Sequence, residues 1–166
     1  MWELFQKTAD TDQKILSCRD PTGLYPEDTL SAAWTAILGN LPSNSAKLLT
    51  LLSLVDPDNI PDRLFSGGVQ LEGGFAFLRN EFDYREAKGP LLNYDIMSQT
   101  TAGSMSIHRL VQSTRLKNLS DHNRDEAFNV MLPILATCFP KQVLGSHMHE
   151  RWDYCEVFLA HVLAFD

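Results

Sequence analysis

The stretch from residue 46 to residue 55 limits the fold more than any other. It holds Ala46, Leu48, Leu49, Leu51, Leu52 and Val55, broken only by Lys47, Thr50 and Ser53. At helical spacing these positions cover most of the circumference. A helix apolar on nearly every side belongs in a core, with other elements packed around it. It is also far shorter than the roughly 20 residues that a membrane-spanning helix needs. Hydrophobic residues make up 44% of the 166-residue chain, so a surrounding core is available. Ser43 or Asn44, just after the helix-stopping Pro42, is placed to cap this helix, and Asp56-Pro57-Asp58 ends it.

The remaining elements read outward from that centre. Leu30, Ala33, Trp34, Ile37, Leu38 and Leu41 recur at helical spacing and predict a preceding amphipathic helix. Residues 59–62 read as a turn and 61–65 as a short helical piece. Gly67-Gly68 and Gly73-Gly74 are loop breaks. Neither is followed by Gly-Lys-Ser or Gly-Lys-Thr, so neither is a phosphate loop. Residues 75–93 read as a helix with Phe82, Leu91 and Leu92 facing the core. Residues 94–98 read as a strand, 100–103 as a turn and 104–107 as the returning strand, with Met105 and Ile107 alternating against Ser104 and Ser106. A helix follows at once, with Ile107, Leu110, Val111 and Thr114 on one face. Ser120-Asp121 caps the next, whose apolar stripe is Phe128, Met131, Leu132, Leu135, Cys138 and Phe139, with Pro133 inside it. A last helix covers 149–164, with Trp152, Cys155, Leu159, Val162 and Leu163 expected inward. The predicted fold class is mainly α. Three helices and a short β-hairpin have the layout of a winged helix, followed by a helical extension. The domain reading is an N-terminal helix and linker over 1–25, a winged-helix domain over 26–119 and the extension over 120–166.

Several function classes are disfavoured. The formal charge is −7, whereas a duplex-DNA reader usually presents a basic face. The basic cluster is His108, Arg109, Arg115 and Lys117. On the third helix Arg79, Arg85 and Lys88 are offset by Glu81, Asp83 and Glu86, and the hairpin turn has no charge. Cys18, Cys138 and Cys155 are too few and too widely spaced for a disulfide framework, which fits a reducing compartment. His147, His149 and His161, with Cys155 nearby, lack a zinc-binding spacing, so no metal site is expected. No nucleophile stands in an activating pattern and no pair of carboxylates stands out, so the chain reads as non-enzymatic with no catalytic residue. The first twelve residues lack the apolar core of a signal peptide, and the expected location is cytoplasmic.

Two segments are distinctive. One is Leu54-Val55-Asp56-Pro57-Asp58-Asn59-Ile60-Pro61; the other, more specific, is Met105-Ser106-Ile107-His108-Arg109-Leu110-Val111-Gln112. With Tyr25-Pro26, Leu30, Trp34, Ala46-Lys47-Leu48-Leu49, Pro90-Leu91-Leu92 and the later Trp152, Cys155, Glu156 and His161, they resemble the winged-helix region of fungal STAND proteins. These are NLR-like signalling proteins with an NB-ARC or NACHT ATPase upstream and tetratricopeptide repeats downstream. The resemblance covers roughly residues 25–165 and lacks the nucleotide-binding domain, as a fragment or truncated relative would. It implies a regulatory module that senses ADP or ATP together with a nucleotide-binding domain and binds no nucleotide alone. It also implies that residues from 120 onward lead toward a repeat array. In plant and animal relatives a Met-His-Asp motif stands here, and its His contacts the β-phosphate of ADP. Ile107 occupies the Met position and His108 the His position, while Arg109 replaces the Asp. The resemblance therefore makes His108, with Arg109, the nucleotide-sensing candidates. The residues themselves agree in one respect: a His opening a helix lies near free N–H groups and the positive end of the helix dipole, which attract phosphate. The alternatives are a helical module that binds protein partners through 120–166 without a nucleotide role and, more weakly, a DNA-binding winged helix.

Overall fold

Six α-helices, two 3₁₀ segments and three short strands make up the regular structure of residues 29–65, 71, 73–139, 141 and 152–165, which a computed structural model describes. The expected N-terminal helix and linker, the Gly67-Gly68 break, and His147 and His149 lie outside these residues. The chain divides into two compact units, 1–41 and 42–166. In the first, α1 spans Thr29–Gly39. Its last turn is closed by Asn40, whose backbone N–H and side-chain amide both donate to the Ala36 carbonyl, at 3.2 and 2.8 Å.

The second unit is built around α2 (Ser43–Leu52). Leu48, Leu49, Leu51 and Leu52 have no exposed surface. They are enclosed because α2 packs against α3 (Glu81–Asn93), α4 (Arg109–Lys117), α5 (Asp121–Cys138) and the 3₁₀ segment Gly73–Arg79. Each such leucine contributes about 1.5–3 kcal/mol of burial. The start of α2 differs from expectation. Pro42 is its N-cap, and neither Ser43 nor Asn44 makes a side-chain cap. At the other end Ser53 donates from both N–H and hydroxyl to the Leu49 carbonyl, at 2.9 and 2.7 Å.

The sheet has three antiparallel strands in the order β1 (Ile60–Pro61), β3 (Ser104–Ile107), β2 (Met97–Gln99). Ile60 pairs with Met105, Met97 with Ile107, and Gln99 with Met105. The hairpin is present, with Met105 and Ile107 buried as expected. Its first strand starts later than expected, because Tyr94 and Asp95 form the turn that ends α3, with Asp95 left-handed at φ 54°. Strand β1 is unexpected. Pro61 is tolerated because β1 is an edge strand, and the next N–H, from Asp62, reaches the Gly103 carbonyl at 3.0 Å.

The expected helix over 75–93 is two pieces. The 3₁₀ segment Gly73–Arg79 buries Phe75, Phe77 and Leu78; α3 then starts afresh, with the Asn80 side chain accepting from the Phe82 N–H at 3.0 Å. The core face of α3 is Tyr84, Ala87, Lys88 and Leu91, which leaves Phe82 in the first turn 66% exposed rather than inward.

On α5 the buried face is Ala127, Met131, Ile134 and Leu135, so Phe128 and Leu132 of the expected stripe are exposed. On α6 (Trp152–Ala164) Cys155, Phe158 and His161 are buried among the described side chains; Cys155 is inward as expected, whereas Trp152, Leu159, Val162 and Leu163 lie open, contrary to expectation. α5 and α6 pack together, and Phe128 stacks on Phe165 with centroids 4.3 Å apart. The fold is thus mainly helical with a small antiparallel sheet. No helix among the described residues is long and apolar enough to cross a membrane.

Candidate functional site

The two distinctive sequence segments meet in space. After α2 the chain turns through residues 53–59. The Asp56 carboxylate accepts from the Asp58 N–H at 3.0 Å, and Asn59 takes a left-handed conformation at φ 56°, which its short polar side chain tolerates. Ser104, Ser106, Ile107, Arg109 and Gln112 of the run 104–112 are bonded to this turn. The hydroxyl of Ser104 donates to the Asn59 side-chain carbonyl, and the Asn59 N–H donates to the Ser106 hydroxyl at 3.3 Å. Backbone pairing continues from the Ile107 N–H to the Pro57 carbonyl at 2.9 Å. Arg109 forms an exposed ion pair with Asp58 at 3.0 Å. Gln112 donates to the carbonyls of Ser53 and Val55, at 3.1 and 2.7 Å. Those two carbonyls follow the last turn of α2 and have no next helical turn to accept from.

His108 behaves differently. Its ring is exposed and serves as the N-cap of α4, with Nδ1 accepting from the Leu110 N–H at 3.2 Å. With Nδ1 as acceptor, the neutral ring carries its proton on Nε2, which is then a donor. Among the described residues the ring has no second hydrogen-bond partner. His108 and Arg109 are therefore adjacent but engaged differently: the imidazole caps its own helix, and the guanidinium reaches across to the turn.

The expected basic cluster does not form one surface. Arg115 is turned toward α2, with Nε donating to the Thr50 hydroxyl at 3.0 Å and a terminal nitrogen to the Ala46 carbonyl at 3.2 Å. Burial lowers its pKa from the ordinary arginine value. Arg109 is exposed but paired with Asp58, and Lys117 is exposed on the last turn of α4.

A second polar cluster was not legible in the sequence. Asp62 accepts from the Tyr84 hydroxyl at 2.6 Å, from Lys88 Nζ at 3.0 Å and from the Gln99 amide at 3.3 Å. Lys88 is buried and its Nζ also lies over the Tyr84 ring. Burial, then the hydrogen bond and charge of Asp62, push the Tyr84 hydroxyl far above the usual phenol range, so it remains a donor. One signal was available. Lys88 stands four residues after Tyr84 and three before Leu91, on the core face rather than the solvated one. The cluster ties the 3₁₀ segment Asp62–Leu64 to α3 and β2.

The C-terminal helices meet the segment that follows this turn. His161 of α6 is buried and its Nδ1 has no partner. Burial pulls its pKa below the ordinary histidine value, although the backbone of Asn59 and the charge and backbone of Asp56 favour the charged form. Arg63 lies over the Phe158 ring at 5.2 Å, and the Cys138 thiol donates to the Leu64 carbonyl at 3.5 Å. Burial pushes that thiol up, against an opposing effect of Arg63. Among the described residues no group of three or more His, Cys, Asp and Glu side chains is placed to hold a metal ion.

These features define a mainly helical protein in which a proline-bounded turn holds a hairpin and a helix start together, and the segment after it meets the C-terminal helices. Residues 36–124, more than half of the chain, match the family described as a domain of unknown function (DUF7779), and the chain belongs to that family. The match includes both segments of the candidate site. No curated protein and no solved structure matches the chain.

Proposed function

We propose that this chain is a non-catalytic regulatory module of a STAND-type signalling ATPase. It acts in the cytoplasm with a separate nucleotide-binding domain, and its α1–α2–α3 order followed by the β2–β3 hairpin is that of a winged helix. One observation carries the reading. Ser106, Arg109 and Gln112 of the distinctive run bond to the 53–59 turn, whereas His108 is held by its own cap with the ring open. A fixed imidazole whose Nε2–H faces outward from a helix start suits a phosphate oxygen supplied by another domain. ADP is then the nucleotide recognised, and only in that partnership. The segment that follows the turn meets α6 and α5, through Arg63 over Phe158 and Leu64 at Cys138, so movement at the nucleotide would pass to the extension that leads toward a repeat array.

The test is ADP release from a cognate ATPase domain joined to this chain. His108→Ala removes cap and donor together; His108→Asn keeps a good cap but shortens the reach. Faster ADP release in both variants, by about tenfold for a lost charge-assisted bond, is expected. Release unchanged in both rejects the sensor.

A second reading has its own support. Exposed apolar side chains gather on α5 and α6, which favours a helical module that binds protein partners there. DNA binding is the weakest reading, because Arg109 and Arg115 are engaged within the fold.

A further inference from the structure

Of the eight large apolar side chains that are exposed among the described residues, six lie on the last two helices: Phe128 and Leu132 on α5, and Trp152, Leu159, Val162 and Leu163 on α6. Both helices already bury another face, so this is a second apolar stripe on each. Acidic residues stand within the stripes. Asp125, Phe128 and Leu132 follow at i, i+3 and i+7, and Trp152, Glu156, Leu159 and Leu163 at i, i+4, i+7 and i+11, with Asp125 and Glu156 exposed. Neither sequence contains a cation. The nearest one on α5, Arg124, donates to the Leu116 carbonyl at 3.0 Å and lies 3.9 Å from Asp121.

We propose that these stripes bind an amphipathic helix with a basic polar face, contributed by a partner protein; this rests on the interaction reading given above. Leucine-type side chains of such a helix would cover the open apolar surface, and its lysines or arginines would meet Asp125 and Glu156. A second copy of this chain would bring carboxylates against carboxylates, and an anionic membrane would be repelled in the same way. Charge thus selects a basic helix from among the apolar occupants.

The experiment uses the full chain and fluorescent peptides of about 18 residues, five turns of helix. One peptide has Leu at i, i+3, i+4 and i+7 with Lys elsewhere, a second has the same composition scrambled, and a third replaces Lys with Glu. Anisotropy should show saturable binding of the first, weakened by salt, and at least about tenfold weaker binding of the other two. Asp125→Lys with Glu156→Lys should reverse the preference between the Lys and Glu peptides. Leu132→Ser with Leu163→Ser should weaken both. All four substituted positions are exposed, and far-UV circular dichroism checks that the fold is kept. No binding, or equal binding of the scrambled peptide, overturns the proposal. So does sedimentation that shows self-association abolished by the serine pair, which makes a second copy the occupant. If the serine pair weakens binding but charge reversal leaves the preference unchanged, the basic partner is rejected and the interaction reading survives. If neither pair has an effect, both are lost.

Discussion

At the scale of single residues, Gln112 and His108 divide the distinctive run between structure and candidate function. Gln112 satisfies two carbonyls beyond the end of α2, and its other neighbours in the run bond to the same turn. Its presence needs no ligand to explain it. Gln112→Glu keeps the shape and removes both donated bonds, and it places a carboxylate against two carbonyls. We expect a loss of about 2–3 kcal/mol, more than for Gln112→Ala, read from the shift of the urea midpoint. A variant that unfolds at the wild-type midpoint would show that water satisfies those carbonyls equally well. Arg109 is a smaller matter. Its pair with Asp58 is exposed at both ends, and such pairs contribute about 0–1 kcal/mol. His108 remains as the member whose side chain does least for the fold beyond one cap, which is why the functional proposal rests on it.

At the scale of elements, the 56–64 segment is clamped between the hairpin side and the C-terminal helices, and two titratable groups report on the clamp. His161 is the first. Its pKa is lowered in the fold mainly by burial, so the unfolded chain, with an imidazole near 6.5, binds the proton more readily. Stability is therefore full above about pH 6.5 and falls as the pH drops below it, until the folded imidazole also titrates. The thermal midpoint should fall between pH 7 and pH 5, and His161→Gln should flatten that part of the profile; an unchanged slope in the variant would remove His161 as its source. Asp62 is the second group. Asp62→Ala leaves the buried Lys88 ammonium without its carboxylate, whereas Lys88→Met leaves Asp62 about one-third exposed and still bonded to Tyr84 and Gln99. The first should cost about 2–3 kcal/mol and the second clearly less, measured by denaturant unfolding. These elements also show what was readable in advance. Helix α2 was legible because its leucines cover every side, and β3 because Met105 and Ile107 alternate with serines. Strand β1 was not, since two residues ending in proline have no period. The break at Asn80 was hidden by aromatic residues that suit a helix and a 3₁₀ turn equally. The face of α6 was misjudged because apolar character favoured Leu163, whereas packing placed His161 inside and left Leu163 open. His108 and Arg109 were singled out by resemblance, and the bonds that hold their run depend on a turn some fifty residues earlier, which no local pattern reveals.

At the scale of the molecule, residues 42–166 have what an independently folding unit requires. Packing runs from α2 to α6, because α2 touches α3, α4 and α5, α3 touches β2, and α5 in turn packs on α6. The segment just after the 56–59 turn adds two ties, Arg63 over the Phe158 ring and the Leu64 carbonyl to the Cys138 thiol. A chain that begins at Pro42 should therefore unfold in one cooperative step. The experiment has a convenient reporter, since of Trp2, Trp34 and Trp152 only the last remains in that chain. Trp152 opens α6, whereas far-UV circular dichroism is dominated by all the helices together. If α6 is part of the cooperative core, the fluorescence and dichroism transitions in urea coincide at pH 7. If α6 is held less strongly than α2–α5, fluorescence changes at lower urea. We expect coincidence, because two contacts reach α6 or its neighbour from the 56–64 segment, Phe158 under Arg63 and Cys138 at the Leu64 carbonyl, and because His161 of α6 is buried. Separate transitions would contradict the coupling from the distinctive run through the turn to the extension. The proposed regulatory role needs that coupling to be stiff, so the same measurement bears on the role as well as on the fold.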